Sequence, residues 1–241
     1  MAHEQVQGLL QFLKESPTAF HAVESICSRL TGFEPLQENA RWRLQPGGRY
    51  YVTRNRSSVI AFTVPQRGFA PFQLIASHTD SPTFRIKENA ELTVRDKYVQ
   101  LDVERYGGMI NDSWLDRPLS VAGRVLVRRE GGLEARLVDL KRDVALIPRV
   151  AIHLNRETNS GVKYDPARDL VALYAAGTGS GSFYREVART ADCAPEDVVA
   201  GDLVLYNNQP GTVWGAEGEF VSAPRLDDLA CVFACTEGFL T

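Results

Sequence analysis

The chain of 241 residues contains 27 Lys and Arg against 30 Asp and Glu, so its net charge is -3, and 44% of its residues are hydrophobic. These values are typical of a globular protein with a substantial core, and they argue against nucleic acid as a main partner, because phosphate neutralisation requires clustered basic residues. No run of about eighteen apolar residues occurs, so the sequence predicts no membrane span.

The first eighty residues combine helices with short strands. Residues 4–14 predict a helix with one apolar stripe, formed by Val6, Leu9, Leu10 and Leu13. Ser16 or Thr18 is expected to cap a second helix that ends at about residue 31. The alternating segments RYYVTRN and SSVIAFTV then predict an antiparallel hairpin, and the apolar segment FQLIAS predicts a short strand that stops at His78.

From about residue 85 the chain changes to many short alternating segments separated by Gly, Asp and Asn. Their number and spacing predict a compact β-barrel or sandwich, and helical periodicity returns only at 183–190. The segment GTGSGS reads as a mobile surface loop. We therefore predict a first α/β part over residues 1–84, an inserted β-rich domain over 85–218, and a return to the α/β part over 219–241.

Thiol chemistry gives a weaker signal. Cys231 and Cys235 are four residues apart in a predicted apolar helix, so they are neighbours on one face. No second Cys or His pair follows, and packing of small apolar side chains is the preferred interpretation over zinc chelation. Because the N-terminus is an amphipathic helix pattern and not a signal peptide, reduced thiols and a cytoplasmic location are expected.

Two polar sites lie where apolar segments end. His78-Thr79-Asp80 follows the predicted strand, and Asp227-Asp228 precedes a helix predicted from Leu229. Each has an ordinary explanation, since Asp80 can begin a turn and an Asp at a helix start can cap it. Taken together they indicate metal chemistry: Asp80 could fix the tautomer of a His78 ligand, and Asp227 could bridge two ions roughly 3.5–4 Å apart.

The chain also resembles a known family along nearly its whole length. The stretches SPTAFHAV, GRYYVTRN, ASHTDSP, YGGMINDSWLDRPLSVAGRV, LIPRVAIHLNR and SAPRLDDL are similar to the successive signatures of the aspartyl aminopeptidase family, the M18 metallopeptidases. The resemblance implies a zinc-peptidase-like α/β/α domain, incomplete here, with an inserted β-barrel-like domain. It also implies removal of N-terminal residues from peptides, with acidic ones preferred, by a two-metal-activated water.

Residue roles follow from the resemblance position by position. His78 matches a metal ligand, Asp80 the aspartate that orients the site, and Asp227 the bridging metal ligand, usually followed by a cis peptide bond. His153 matches a substrate-binding histidine that reaches into a neighbouring subunit's site. Asp228 stands where the family usually has Asn, which adds a possible charge beside the metals.

The family further implies two Zn²⁺ per active site, with Co²⁺ or Mn²⁺ as alternatives, and a homo-oligomer of twelve subunits. The Glu-Glu pair, the further Asp and the final His of the family do not occur in this sequence, so we expect a fragment that is inactive alone. Two other hypotheses remain open: a non-catalytic assembly module, and a related two-zinc deacylase. Within YGG-to-DRP, Asp116 and Arg117 are expected to form an ion pair that supports the barrel.

Overall fold

The structure is a computed structural model that describes residues 2–68, 71–177 and 181–241. The α-helices are α1 (Ala2–Glu15), α2 (Ala19–Arg29), α3 (Pro166–Asp169), α4 (Ser182–Thr190) and α5 (Leu226–Leu240). The strands are β1 (Glu34–Leu36), β2 (Arg49–Arg54), β3 (Ser58–Thr63), β4 (Thr83–Val94), β5 (Tyr98–Tyr106), β6 (Pro118–Arg129), β7 (Gly132–Asp139), β8 (Ala145–Leu146), β9 (Ala172–Ala176), β10 (Val198–Tyr206), β11 (Thr212–Trp214) and β12 (Phe220–Ser222).

The chain divides into two compact units. The first contains the residues up to Ser81 together with Gln209–Thr241, and the second is Pro82–Asn208. None of the helices in the described ranges combines the length and the apolar character that a membrane crossing requires.

The core of the first unit is formed by its helices. The predicted stripe of α1 is confirmed, and its buried Phe12 and Leu13 share one apolar cluster with Leu229 and Val232 of α5. The predicted cap of α2 is also confirmed, because the Thr18 hydroxyl accepts a hydrogen bond from the amide of His21. Burial of these side chains stabilises the helices, which are too short to be stable alone.

A three-stranded sheet and a hairpin complete the first unit. The predicted hairpin is confirmed as β2 and β3, and β1 pairs with β2 in parallel. Farther along the chain, β11 and β12 form a separate antiparallel pair.

The strand predicted over FQLIAS is wrong. Residues 72–77 adopt no regular secondary structure, and Phe72, Leu74 and Ile75 are 78%, 86% and 61% exposed. An apolar run indicates a tendency to be buried, but a strand also needs a hydrogen-bonded neighbour. Within the described ranges, no strand pairs with this segment.

The second unit is a closed barrel, as the sequence predicted. Its strands follow the order β10-β4-β5-β9-β8-β6, and β10 also pairs with β6, which closes the ring of six. β7 extends the sheet beyond β6. The barrel encloses a large apolar cluster that includes Leu101, Leu119 and Leu205, none of which is exposed. Closure leaves no open edge among the six strands, which stabilises an all-β unit.

One glycine marks the closest approach of two barrel strands. Gly123 of β6 lies opposite Leu203 of β10 and has φ +158°. A Cβ at this position would lie 2.0 Å from the carbonyl oxygen of Asp202. Only a residue without a side chain fits there.

Hydrogen bonds attach the start of α4 to the barrel. The Glu91 carboxylate of β4 accepts hydrogen bonds from the amides of Gly181 and Phe183 and from the hydroxyl of Ser182, so it caps α4. α4 itself confirms the helix predicted over 183–190. The predicted GTGSGS loop covers residues 177–182, of which 178–180 lie outside the described residues, and Ser182 already belongs to α4.

The ion pair predicted between Asp116 and Arg117 is wrong. Asp116 instead faces Arg149: its Oδ1 accepts a hydrogen bond from the Arg149 amide at 2.8 Å, and its Oδ2 lies 3.8 Å from the Arg149 Nε. Asp116 has a left-handed backbone with φ +56° and donates its amide hydrogen to the Ile147 carbonyl, and its side chain faces the irregular segment that follows Ile147. Neighbours in sequence therefore do not face each other here.

Candidate metal centre

His78 lies in an irregular segment that polar contacts hold in place. The His78 amide donates to Asp228 Oδ2 at 3.1 Å, across 150 positions of sequence. The next residue, Thr79, donates its hydroxyl to the Ser57 carbonyl at 2.9 Å, which ties the segment to the turn between β2 and β3. These two hydrogen bonds hold the end of a segment that no strand pairs with in the described ranges.

Asp80 determines which nitrogen of His78 is available. The His78 Nδ1 lies 3.0 Å from the Asp80 carbonyl oxygen and 3.2 Å from its Oδ1. A neutral ring with its proton on Nδ1 satisfies this contact and leaves the Nε2 lone pair free to bind a cation. The arrangement agrees with the orienting role expected for Asp80.

The second stretch is fixed from both sides. Arg225 has a left-handed backbone, with φ +62°, and its guanidinium donates to the carbonyls of Leu13 and Ser16 at the end of α1. The Ser81 hydroxyl donates to the Asp227 carbonyl at 2.8 Å. The peptide bond between Asp227 and Asp228 is cis, and the regular helix follows from Leu229.

The helix-capping explanation of the two aspartates receives no support. In the described part of the chain, neither carboxylate accepts a hydrogen bond from an α5 amide. Asp228 instead accepts from the Cys231 thiol and from the His78 amide, which together hold the pKa of Asp228 below its usual value. The bond to Asp228 raises the pKa of the Cys231 thiol, so this cysteine is a donor and not a reactive thiolate.

Three possible metal ligands converge at this point. His78 Nε2 lies 3.4 Å from Asp227 Oδ1 and 3.8 Å from Asp228 Oδ2, and one ligand atom from each residue lies within 4.8 Å of the others. The side chain of Asp227 is 87% exposed, whereas that of Asp228 is 20% exposed. One imidazole and two carboxylates fit zinc, whose catalytic sites have about three protein ligands and one open position.

The electrostatics of the site also suit a cation. Partial desolvation opposes protonation of His78, but the Asp80 carbonyl and the carboxylates of Asp228, Asp80 and Asp227 outweigh it and raise the pKa of His78. The same negative potential that favours a proton on this ring favours a divalent ion.

His153 lies in the second unit, in the exposed segment between β8 and α3. The structure brings His78, Asp80 and Asp227 together in the first unit, to which His153 does not belong. Sequence reasoning considered Asp228 as a helix cap and as a departure from a family pattern, but not as a metal ligand, and it missed Arg225 and Ser81. The Pro-Arg before the Asp-Asp doublet was the available signal, because a long cation beside a sharp turn can bind carbonyl groups.

The three converging side chains form a set of possible ligands for one divalent metal ion. Residues 12–241 match the family described as "Aminopeptidase I zinc metalloprotease (M18)". A protein of Clostridium novyi (strain NT) named "Probable M18 family aminopeptidase 2" is 41% identical over 242 residues, which is 95% of this chain and 55% of that protein.

Solved structures of other proteins have a fold similar to that of this chain. The Chaetomium thermophilum mApe1 structure has a TM-score of 0.86 at 32% identity, covering 97% of this chain and 57% of that one. The S. cerevisiae mApe1 dodecamer has a TM-score of 0.82 at 26% identity, covering 97% and 55%. The chain belongs to the M18 family of zinc metallopeptidases, and it spans about half the length of the curated relatives it matches.

Proposed function

We propose that this chain is the part of a metalloaminopeptidase that supplies His78, Asp227 and Asp228 as metal ligands and Asp80 as the residue that orients His78. The supporting observation is the convergence of one imidazole nitrogen and two carboxylates within 4.8 Å. Membership of a zinc metallopeptidase family supports zinc as the ion.

Each residue has a distinct part in the proposed chemistry. Zinc, when bound, supplies a Lewis acid that activates water and polarises a peptide carbonyl. Asp80 holds the His78 ring with its proton on Nδ1, so that Nε2 faces the ion. Asp227, whose side chain is 87% exposed, would take the bridging role that the family resemblance implies. Asp228 reinforces the site from the helix side, where the His78 amide also binds it.

The family resemblance implies that a glutamate of a Glu-Glu pair accepts the proton of the attacking water. No Glu-Glu pair occurs in this sequence. We therefore propose that these residues suffice to bind an ion but not to turn over a peptide. An acidic aminoacyl chromogenic substrate with added Zn²⁺ or Co²⁺ tests this, and turnover above background would contradict it.

The preference for N-terminal Asp or Glu and the second ion are proposed from family resemblance. A cytoplasmic location is proposed from the four cysteines, which form no disulfide bond in the described ranges. The second unit is proposed to mediate subunit contacts and to present His153 to substrate in a neighbouring site. The solved S. cerevisiae mApe1 is a dodecamer, which supports a homo-oligomer. Light scattering of the purified chain measures this directly.

Metal binding is the decisive experiment. We expect isothermal titration with Zn²⁺ to give one site per chain, because the described ligands number three. His78→Ala and Asp227→Asn should each weaken binding by about tenfold or more, since each removes a ligand from the ion. Matched controls are His3→Ala and Glu24→Gln, which change exposed residues of α1 and α2.

The outcomes separate the hypotheses. Zinc binding that is lost in both site variants and kept in both controls supports the metallopeptidase. A protein that binds no zinc, or binds it equally well in all four variants, would instead be the non-catalytic assembly module.

A further inference from the structure

The segment from Arg149 to Tyr164, here the 149–164 loop, projects His153 from the barrel. It also exposes three apolar side chains, Val150, Ile152 and Leu154. All hydrogen bonds of residues 150–163 within the described ranges are to other residues of the loop, such as the Leu154 amide to the Ala151 carbonyl at 2.9 Å. The interior of the loop therefore has no polar attachment to the barrel.

Both ends of the loop bind the same carboxylate. Asp112 Oδ1 accepts a hydrogen bond from the Arg149 guanidinium at 2.7 Å and another from the Tyr164 hydroxyl at 2.6 Å. The Arg149 guanidinium also reaches the Asp112 carbonyl at 3.4 Å. The hydrogen bond to Asp112 raises the pKa of Tyr164, which keeps this phenol a donor at neutral pH.

Asp112 lies in a short segment that packs against the barrel core. It belongs to a short 3-10 turn, Asn111–Trp114, that follows β5. The Trp114 ring packs edge-on against Phe84 with centroids 5.2 Å apart, and Phe84 is fully buried in the barrel. Packing of Trp114 against the core positions the Asp112 carboxylate, and the hydrogen bonds to this carboxylate position the two ends of the loop.

We propose that Asp112 is a positioning residue that closes the base of the 149–164 loop and so determines where His153 is presented. The role of His153 in substrate binding rests on the proposed function, but the closure by Asp112 does not. Asp112 Oδ1 binds both ends of the loop, whereas the Asp116 carboxylate contacts only the Arg149 end, so removal of the Asp112 carboxylate frees the exit of the loop and weakens the hold on its entry. A loop without its closing contacts samples many conformations, and His153 would then be misplaced.

Three variants and a control test the closure. Asp112→Ala removes both contacts, Asp112→Asn keeps one acceptor oxygen, and Tyr164→Phe removes the exit contact alone. Asp143→Ala changes another exposed aspartate of the same unit and serves as the control. The readout is the rate of tryptic cleavage after Arg156, an exposed residue in the middle of the loop, together with hydrogen exchange of residues 150–163.

We expect cleavage to be about tenfold faster in Asp112→Ala, because two hydrogen bonds to a charged group are lost and cleavage follows the open population. Tyr164→Phe and Asp112→Asn should lie between this variant and the wild type, and Asp143→Ala should match the wild type. Unchanged cleavage in Asp112→Ala would overturn the proposal. So would an equal acceleration of exchange throughout the barrel, since that is the mark of general destabilisation.

Failure of the proposed function would look different. If Asp112→Ala frees the loop but His153→Ala leaves peptide binding by the assembled enzyme unchanged, the closure stands and the substrate role of His153 falls. If His153→Ala weakens peptide binding, Asp112→Ala should weaken it in the same direction, with Asp143→Ala again as the control.

Discussion

Replacing Arg225 by Met should loosen the first unit at the point where the metal centre is built. The guanidinium donates from Nε to the Ser16 carbonyl at 3.2 Å and from Nη2 to the Leu13 carbonyl at 2.9 Å. Both residues are buried, with Ser16 fully covered and Leu13 at 2% exposure. Met keeps most of the aliphatic stem but donates no hydrogen bond.

The magnitude follows from what each carbonyl loses. The Leu13 carbonyl keeps a bond from the Ser16 amide at 3.3 Å, so it loses one of two donors. The Ser16 carbonyl loses a charged donor at a site with little access to water. Adding the value of a charge-assisted hydrogen bond to the cost of a poorly solvated acceptor, we expect a loss of about 2–4 kcal/mol in the opening free energy of the first unit.

Hydrogen exchange with mass spectrometry measures this loss locally. Peptides from α1 and α5 should exchange faster in Arg225→Met, whereas peptides from the barrel should be unchanged. Zinc affinity should fall in parallel, because Asp227 lies two residues beyond the lost anchor. Arg225→Lys, which keeps a charged donor of different geometry, should give an intermediate effect.

Arg43→Met, at an exposed position of the same unit, is the matched control. A loss below about 0.5 kcal/mol in Arg225→Met, the range of ordinary surface substitutions, would refute the assignment of Arg225 as an anchor. Faster exchange in the barrel peptides alone would refute it as well.

Three further predictions concern the barrel unit. Gly123→Ala should destabilise it by about 3 kcal/mol or more, because the new Cβ would overlap the Asp202 carbonyl; urea unfolding measures this, and a near-native midpoint would contradict the close approach. Glu91→Ala should cost about 2 kcal/mol and speed exchange at the start of α4, whose capping carboxylate it removes; exchange unchanged there would exclude that role. Hydrogen bonds from Arg142 and Arg189 lower the pKa of Glu186 in the folded protein. The stability that the Glu186 carboxylate contributes is therefore complete above the pKa of the unfolded chain and is lost as pH falls through the lower pKa of the folded protein. Glu186→Gln should therefore cost about 0.5–1 kcal/mol at pH 7 and progressively less as pH falls below the ordinary pKa of glutamate, and a cost independent of pH would rule out the charge as its origin.

Elements with local signals were predictable from the sequence. The hairpin of β2 and β3 alternates, α2 begins at a Thr that caps it, and the many short segments after residue 85 form a closed barrel as expected. The doublet of aspartates before α5 also drew attention to the region that the structure brings to His78.

What depended on distant partners was not predictable. The segment 72–77 has the composition of a strand, but composition does not supply a neighbour, and the segment stays exposed. Asp116 was paired with the adjacent Arg117, whereas its left-handed backbone directs it to Arg149. The pairing of β10 with both β4 and β6 joins residues between 71 positions apart (198 with 127) and 121 positions apart (205 with 84), and local pattern contains no information about it.

The ends of the barrel unit lie side by side, since Phe84 of β4 pairs with Leu205 of β10. Once the barrel has folded, Ser81 and Gln209 are therefore joined by a much shorter effective loop than the polypeptide between them. Each halving of the effective loop length lowers the entropic cost of closing the loop by about 0.6 kcal/mol. We therefore expect the barrel to fold before His78 meets Asp228, and a mutation that slows barrel folding to delay the appearance of zinc binding to the same extent.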